Sequence, residues 1–336
     1  MPAVQASILV NAILDAVRQS GGTGIYVSAF EQVHPREFKV NYNGRTFSIW
    51  IYIWTLTHGG RPSLPHEYRI QMTSVTSPLQ LNPDGYTVLL GYYHDLKVFA
   101  GFDLRMHQTF TTGSPSVQID IDAIHSALQN GLGFSVKDNL EVAIGIRPDH
   151  FLLYVTNTEV LHQSGGDASV FNLLRRASES RENTQQEIAV LPPDRRTVIT
   201  TINRYARDAN FRQQVLNAYD NRCAVMRMQL KLIDAAHIVP IPATISIDHV
   251  TNGIALSPTM HRAFDNSLIF LDEDYYMRLN ERKVRELRNQ GLQAGLSQIR
   301  GCLNRIVYLP ADRNQWPNPT FIKEGNKLRR IPGYYQ

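Results

Sequence analysis

The chain has 336 residues, 43% hydrophobic and 19% charged, which is enough for two domains of ordinary size and excludes a disordered chain as the default. The formal charge of +4 is unevenly placed: residues 201–336 hold 19 basic and 12 acidic side chains, whereas residues 1–150 hold 10 and 12. A basic C-terminal part is typical of proteins that bind a polyanion such as DNA, but charge can also serve solubility alone.

The cysteine count and the N-terminal segment restrict the compartment. Only Cys223 and Cys302 occur, which excludes a disulfide scaffold and a zinc site made of four thiolates, and favours a reducing compartment. The first residues, MPAVQASILVNAILDAVRQSGG, have no basic residue before the apolar run. They predict an amphipathic helix that ends at Gly21-Gly22, not a signal peptide. No window reaches the roughly 18 apolar residues of a membrane span, so we expect a cytoplasmic protein without a membrane partner.

The N-terminal half is rich in alternating aromatic and β-branched residues between residues 25 and 160. Seven segments predict strands: KVNYNGRTFSIWIYIW, HEYRIQMTSV, YTVLLGYY, LKVFAGFDL, SVQIDI, LEVAIGI and HFLLYV. One helix is predicted at Asp122 to Asn130, closed by Gly131. The pattern predicts an α+β protein whose residues 1–165 form a β-rich domain, built as a curved sheet or a barrel.

The composition becomes polar after residue 163, with SGGDAS, RRASESRENTQQE and LPPDRR in succession. This shift predicts a linker at 166–196 that contains a short helix. Residues 197–336 then form a second domain, which opens with a helix from Thr197 to Tyr219. Two short strands, a helix and a charged helix from about Asp274 to Arg288 are predicted to follow.

The segment from Arg222 to Tyr275 carries the most specific pattern. It contains LIDAAHIVP, then NGIALS, then SPTMHRAFD, so that His237, Asn252 and His261 follow one another at intervals of 15 and 9 residues. Over roughly 55 residues this segment resembles the HNH nucleases of the ββα-metal superfamily, in the branch with Ala-Ala-His-Ile and His-x-x-Phe-Asp. The resemblance implies a C-terminal ββα-metal domain with flanking helices.

The resemblance also implies a catalytic set for phosphodiester hydrolysis. His237 would be the general base, a role that suits an imidazole because its ordinary pKa of about 6.5 is near working pH. Asn252 would hold the His237 loop across the hairpin. His261 and Asp265 stand four residues apart on the predicted helix, so they share a face and would bind a divalent metal, Mg²⁺ or Mn²⁺.

This chain departs from the family pattern at one important position. Many HNH enzymes have a metal ligand directly before the first histidine, whereas Ala236 stands here. Asp234 has the same strand parity and is the candidate replacement. The pair Asp248-His249 is a rival first element, but it lies only three residues before Asn252, so we interpret it as a surface turn. Cys223 lacks a CxxC partner and is expected to be a small buried residue.

A nuclease module of this size has few contacts with base edges, which favours a reader in the N-terminal domain. We expect DNA contacts from Arg262 in the HNH part and from Arg45, Arg61 and Arg69 in the reader. Five aromatic residues are candidates for stacking on a base, although alternating aromatics more often form the core of a sheet: Tyr42, Trp50, Trp54, Tyr92 and Tyr93. The arrangement resembles restriction endonucleases, including the McrA-like type that cleaves modified DNA.

The leading hypothesis is a metal-dependent HNH restriction endonuclease that cleaves double-stranded DNA in the prokaryotic cytoplasm. One HNH centre cuts one strand, so a double-strand break predicts a homodimer with twofold symmetry. An alternative is an antiphage-defence HNH effector that cleaves DNA non-specifically after its N-terminal domain senses a ligand. A third hypothesis is an inactive HNH scaffold that only binds DNA.

Overall fold

The computed structural model describes residues 4–28, 34–111, 113–179, 183–230, 232–240, 243 and 246–335. The chain forms two compact units, Met1–Ala206 and Arg207–Gln336. The segment 166–196, for which the sequence predicts a linker, belongs to the first unit. Within the described residues no helix is both long and apolar enough to cross a membrane.

The first unit is a mixed α+β structure. Its strands are β1 (Thr23–Tyr26), β2 (Arg36–Tyr42), β3 (Arg45–Thr55), β4 (Thr57–His58), β5 (Glu67–Gln71), β6 (Gly85–Tyr93), β7 (Val98–Phe102), β8 (Ser116–Asp120), β9 (Leu132–Val136) and β10 (Val142–Ile146). Its helices are α1 (Ala6–Gln19), α2 (Leu104–His107), α3 (Ile121–Asn130), α4 (Phe151–His162), α5 (Ala168–Ser178) and α6 (Gln185–Ala189), and α7 (Pro193–Ala218) contains the boundary between the units. The predicted N-terminal helix and the helix before Gly131 are thus confirmed.

The main sheet has seven strands in the order β1-β2-β3-β6-β7-β10-β9. All neighbours are antiparallel except β3 and β6. The described strands form an open sheet with β1 and β9 at its edges, so the barrel alternative is wrong. A separate three-stranded sheet has the order β4-β5-β8.

Near the middle of the main sheet, side chains on both faces are buried. Along β3, Ile49, Ile51 and Ile53 join one core cluster, whereas Tyr52 and Trp54 join another on the opposite side.

The segment HFLLYV, predicted as a strand, instead begins helix α4, and Phe151–Val155 are all buried. A short run that is apolar on every side has no periodicity that distinguishes a buried strand from a buried helix.

The second unit contains the predicted strand, strand, helix order. Its strands are β11 (Asp234–His237), β12 (Gly253–Leu256), β13 (Ile269–Leu271) and β14 (Met277–Leu279), and its helices are α8 (Pro258–Asp265), α9 (Glu281–Asn289), α10 (Leu296–Arg300) and α11 (Pro319–Leu328). Strands β11 and β12 pair antiparallel, and α8 follows directly with Pro258 in its first turn. Cys223 is fully buried in the core of this unit, as expected.

The charged helix of the second unit begins later than predicted. Residues from Asp274 were expected to be helical, but Tyr275 has a positive φ of 63° and β14 occupies Met277–Leu279. The helix starts only after Asn280, whose side chain accepts hydrogen bonds from the backbone N–H groups of Arg282 and Lys283. The helix therefore starts at its N-cap, Asn280, although the helical periodicity in the sequence begins earlier.

Candidate active site

His237 is the last residue of β11, and packing fixes its side chain. Its cross-strand partner is Gly253, where an added Cβ would lie 2.2 Å from a Val215 side-chain carbon, so only glycine allows α7 this close. From the same helix, the Phe211 ring stacks on the imidazole with centroids 3.7 Å apart and planes 13° apart. The His237 side chain is 13% exposed, so it is held in place without being sealed from solvent.

Asp248 fixes the direction of this imidazole. Its Oδ1 lies 3.0 Å from His237 Nε2. A carboxylate only accepts hydrogen bonds, so Nε2 is the donor in this contact, and the neutral tautomer that fits it has its lone pair on Nδ1. Asp248 and His249 form an exposed bend, as predicted, but the bend directs the Asp248 carboxylate at His237.

Asn252 connects the two ends of the loop between β11 and β12. It is fully buried, and its Oδ1 accepts a hydrogen bond from the backbone N–H of Val239 at 2.8 Å. Its Nδ2 donates to the Ile247 carbonyl at 3.0 Å and to Ser246 Oγ at 3.3 Å. The amide thus donates and accepts at once, and it restrains the loop that carries Asp248.

The three predicted metal ligands lie together in the second unit. His261 is on α8, and its Nδ1 lies 3.4 Å from Asp234 Oδ2 on β11. Its Nε2 lies 3.3 Å from Asp265 Oδ2, one helical turn further along α8. The two carboxylates therefore contact opposite edges of one imidazole.

This donor set fits a divalent ion with two protein ligands. No group of three or more His, Cys, Asp or Glu side chains in the described part of the chain is arranged to hold a metal. Asp234 with His261 Nδ1, or Asp265 with His261 Nε2, each supplies an oxygen and a nitrogen at one place. Mg²⁺ commonly has one or two carboxylate ligands and completes its shell with water and phosphate oxygens.

Arg329 joins α11 to this site from 92 residues further along the chain. Its side chain is 6% exposed and donates hydrogen bonds to the carbonyl oxygens of His237, at 3.1 Å, and Ile238. The guanidinium carbon lies 4.2 Å from the centre of the Phe264 ring. Burial lowers the pKa of Arg329 to about 10, and Asp265 opposes this shift, so the group stays charged at neutral pH.

The predicted DNA-contacting arginines lie in both units, one in the second and three in the first. Arg262 is exposed on α8, next to His261. In the first unit, Arg45 is the first residue of β3. Arg69 pairs with Thr57 of β4, and β4 comes directly after the C-terminal end of β3 in the chain. Arg61 is engaged by Glu67, with its Nε 3.2 Å from Oε1. The candidate aromatic residues are mostly core: Tyr42, Trp54 and Tyr92 are buried, and Trp50 and Tyr93 are half-buried.

A family model for HNH endonucleases matches residues 223–272, the stretch that holds β11, β12, α8, His237 and His261. Residues 223–272 are an HNH endonuclease domain. The protein is accordingly an endonuclease that acts on DNA, and HNH nucleases generally depend on a divalent metal.

Two further similarities extend outside residues 223–272. Residues 47–155, from β3 into α4, match a family model described as Methylase-associated X1. A solved structure titled "Modification dependent TagI restriction endonuclease" matches with 11% identity over 84% of this chain and 82% of that chain. Its TM-score of 0.28 is too low to support any inference about the present fold or activity. No curated protein matches the chain.

Three residues around the HNH site were missed by reasoning from sequence. Phe211 and Arg329 lie far from the motif in sequence, so no local spacing indicates their contacts with His237. Asp248 was considered only as a rival first element. The one available signal was an acidic residue in the short loop directly before Asn252, within reach of the preceding strand.

Proposed function

We propose that this protein is a metal-dependent restriction endonuclease in which the HNH domain hydrolyses DNA and the first unit reads sequence or base modification. The observation that carries the proposal is the HNH match over 223–272 together with the placement of His237 and His261 on the ββα elements. The match to a Methylase-associated X1 model outside the nuclease domain is consistent with a separate reader.

His237 is the proposed general base. With its Nε2–H directed at Asp248, its Nδ1 takes the proton from the attacking water. Asp248 acts through His237, by keeping the ring in this tautomer and orientation. Phe211 restricts the ring plane, and Asn252 restrains the loop on which Asp248 lies.

We propose Asp234 and His261 as the metal ligands. Asp265 lies 3.9 Å from the buried guanidinium of Arg329, whose charge disfavours a second cation at that carboxylate. Asp234 and His261 Nδ1 lie on the other edge of the ring. A bound divalent ion would supply positive charge that stabilises the negative charge developing on the phosphoryl group during hydrolysis. Asp265 then orients His261 from Nε2.

The DNA-binding residues and the assembly complete the proposal. Arg262 is exposed beside His261 and suits a phosphate contact near the scissile bond. Arg45, Arg61 and Arg69 are proposed contacts of the reader. Because one HNH centre cuts one strand, we propose a homodimer with twofold symmetry, acting in the prokaryotic cytoplasm.

Digestion of matched unmodified and modified plasmids, followed by sequencing of the cut ends, tests this function. Cleavage is expected with Mg²⁺ or Mn²⁺ and is expected to stop with EDTA. His237→Ala should lose cleavage by at least about 100-fold while the affinity for DNA remains, because the general base contributes to the chemical step. Full cleavage by this variant, or absence of cleavage by the wild type on every DNA tested, would contradict the proposal.

A further inference from the structure

A cleft of about 520 Å³ opens in the first unit, where β2 begins and β3 and β5 end. The start of α1 forms one side, and the backbone N–H of Val4 is tied there to Thr55 Oγ1 at 2.8 Å. The polar lining includes His34, Arg36, Thr55 and Gln71. The described residues that line it include one guanidinium and no carboxylate.

His34 forms an aromatic wall of this cleft. Its ring centroid lies 4.1 Å from that of Trp54 and 5.9 Å from that of Tyr52. Hydrogen bonds to the backbone fix both partner side chains. Trp54 Nε1 donates to the Thr73 carbonyl at 3.2 Å, and the Tyr52 hydroxyl donates to the Gln80 carbonyl at 3.0 Å. His34 and Tyr52 also line a second cleft of about 360 Å³.

The imidazole of His34 is the neutral polar group of this wall. Its Nδ1 is buried and has no hydrogen-bond partner within the described part of the chain. Burial, and then the nearby Arg36, lower its pKa to about 3, so the ring is neutral under physiological conditions and has one donor and one acceptor. A buried polar atom without a partner costs about 1–3 kcal/mol.

The chemistry of the lining selects the ligand class. A phosphate group requires several cationic or N–H donors, whereas Arg36 is the one guanidinium among the described lining residues, and apolar side chains such as Leu9 and Ile53 form much of the wall. A flat heteroaromatic ring can stack on the aromatic side chains of this cleft. Its carbonyl and amino groups can form hydrogen bonds with a neutral imidazole, an amide and hydroxyls. The volume is in the range of small-molecule sites, about 300–1,000 Å³.

We propose that the cleft around His34 binds a nucleobase, presented as a base extruded from the DNA duplex. This inference rests on the proposed function, because a reader that takes a base out of the stack needs a pocket with stacking and hydrogen-bonding groups. A free nucleotide would offer the same chemistry, and the experiment separates these two sources.

The test uses the full-length chain with His237→Ala, which keeps the DNA intact. One arm measures binding of deoxynucleoside monophosphates, including 5-methyl-dCMP, by calorimetry. The other arm uses duplexes that have the sequences at which the wild type cuts. Each duplex carries 2-aminopurine beside the tested base, and the fluorescence of 2-aminopurine rises when the tested base leaves the stack. Each arm is repeated with His34→Ala and with His34→Phe, which keeps a ring but removes both nitrogens. His66→Ala is the matched control, since His66 is exposed and lines a different cleft of the same unit.

A fluorescence rise on the cognate duplex that both His34 variants reduce, with affinity weakened about 10-fold or more and His66→Ala unchanged, supports an extruded base. Nucleotide binding that shows the same dependence, without a fluorescence rise, supports the free nucleotide as the source. If neither probe binds in a manner that depends on His34, the inference is wrong even where the wild type cleaves DNA. Absence of wild-type cleavage would instead contradict the proposed function, and the nucleotide arm would still test the cleft.

Discussion

Asp248 controls the proposed general base through one contact, its Oδ1 at 3.0 Å from His237 Nε2. Asp248→Asn keeps the size of the side chain but allows an N–H to face the imidazole, which then has no reason to keep its own proton on Nε2. We expect kcat to fall by about 100-fold, the scale of general-base catalysis, while KM for DNA stays within about twofold.

Steady-state cleavage of a labelled duplex measures this split between kcat and KM. Asp274→Asn is the matched control, because Asp274 is an exposed acidic residue of the same unit, in the turn between β13 and β14. Asp248→Glu should recover part of the activity, since it restores an acceptor. A rise in KM together with the fall in kcat and a lower melting temperature would indicate a merely structural role for Asp248.

At the scale of the elements, α11 anchors β11 through Arg329. Arg329→Met removes the hydrogen bonds to the carbonyls of His237 and Ile238 and leaves these oxygens without their charged donor. We expect the free energy of unfolding to fall by about 2–3 kcal/mol, and cleavage to fall because His237 is less well placed. Urea unfolding of the full-length chain, followed by circular dichroism, measures the loss. Arg330→Met changes an exposed neighbour and should leave both quantities almost unchanged.

A second element-scale prediction concerns the β9–β10 hairpin, where buried Glu141 contacts His107 of α2 at 2.7 Å and Lys137 at 2.8 Å. Burial alone would raise the pKa of Glu141, but the hydrogen bonds from His107 and Lys137 lower it to about 2, from an ordinary value of 4.5. A carboxyl whose pKa is lower in the folded state stabilises the fold above its unfolded pKa and loses this effect as pH falls through the folded value.

Glu141→Gln should therefore lower the free energy of unfolding at pH 7, by about 3 kcal/mol. The difference from the wild type should shrink as pH falls from about 4.5 to about 2. Denaturant unfolding at a series of pH values measures it. Glu159→Gln is the control, because Glu159 is 74% exposed and lies 3.9 Å from Arg105, an exposed pair of small worth. A difference that stays constant over this pH range would contradict the assignment.

The ββα order was predictable because its signals are local: a strand that ends in a histidine, an asparagine before the second strand, and Pro258 at the start of α8. The environment of His237 was not, because Phe211 and Arg329 reach it through tertiary packing that leaves no spacing in the sequence. The HFLLYV segment failed for a related reason, since burial on all sides removes the periodicity that distinguishes helix from strand.

For the whole molecule, the proposed homodimer has a direct consequence for DNA cleavage. If each double-strand break needs two HNH centres in one complex, then a dimer of wild type with His237→Ala cuts only one strand. Wild-type protein, equilibrated with a tenfold excess of His237→Ala before addition of supercoiled plasmid, should therefore produce nicked circles where wild type alone produces linear DNA. Gel quantification at equal extents of cleavage measures the ratio of the two products. The same ratio with and without the inactive partner would show that the chain cuts both strands without a second copy.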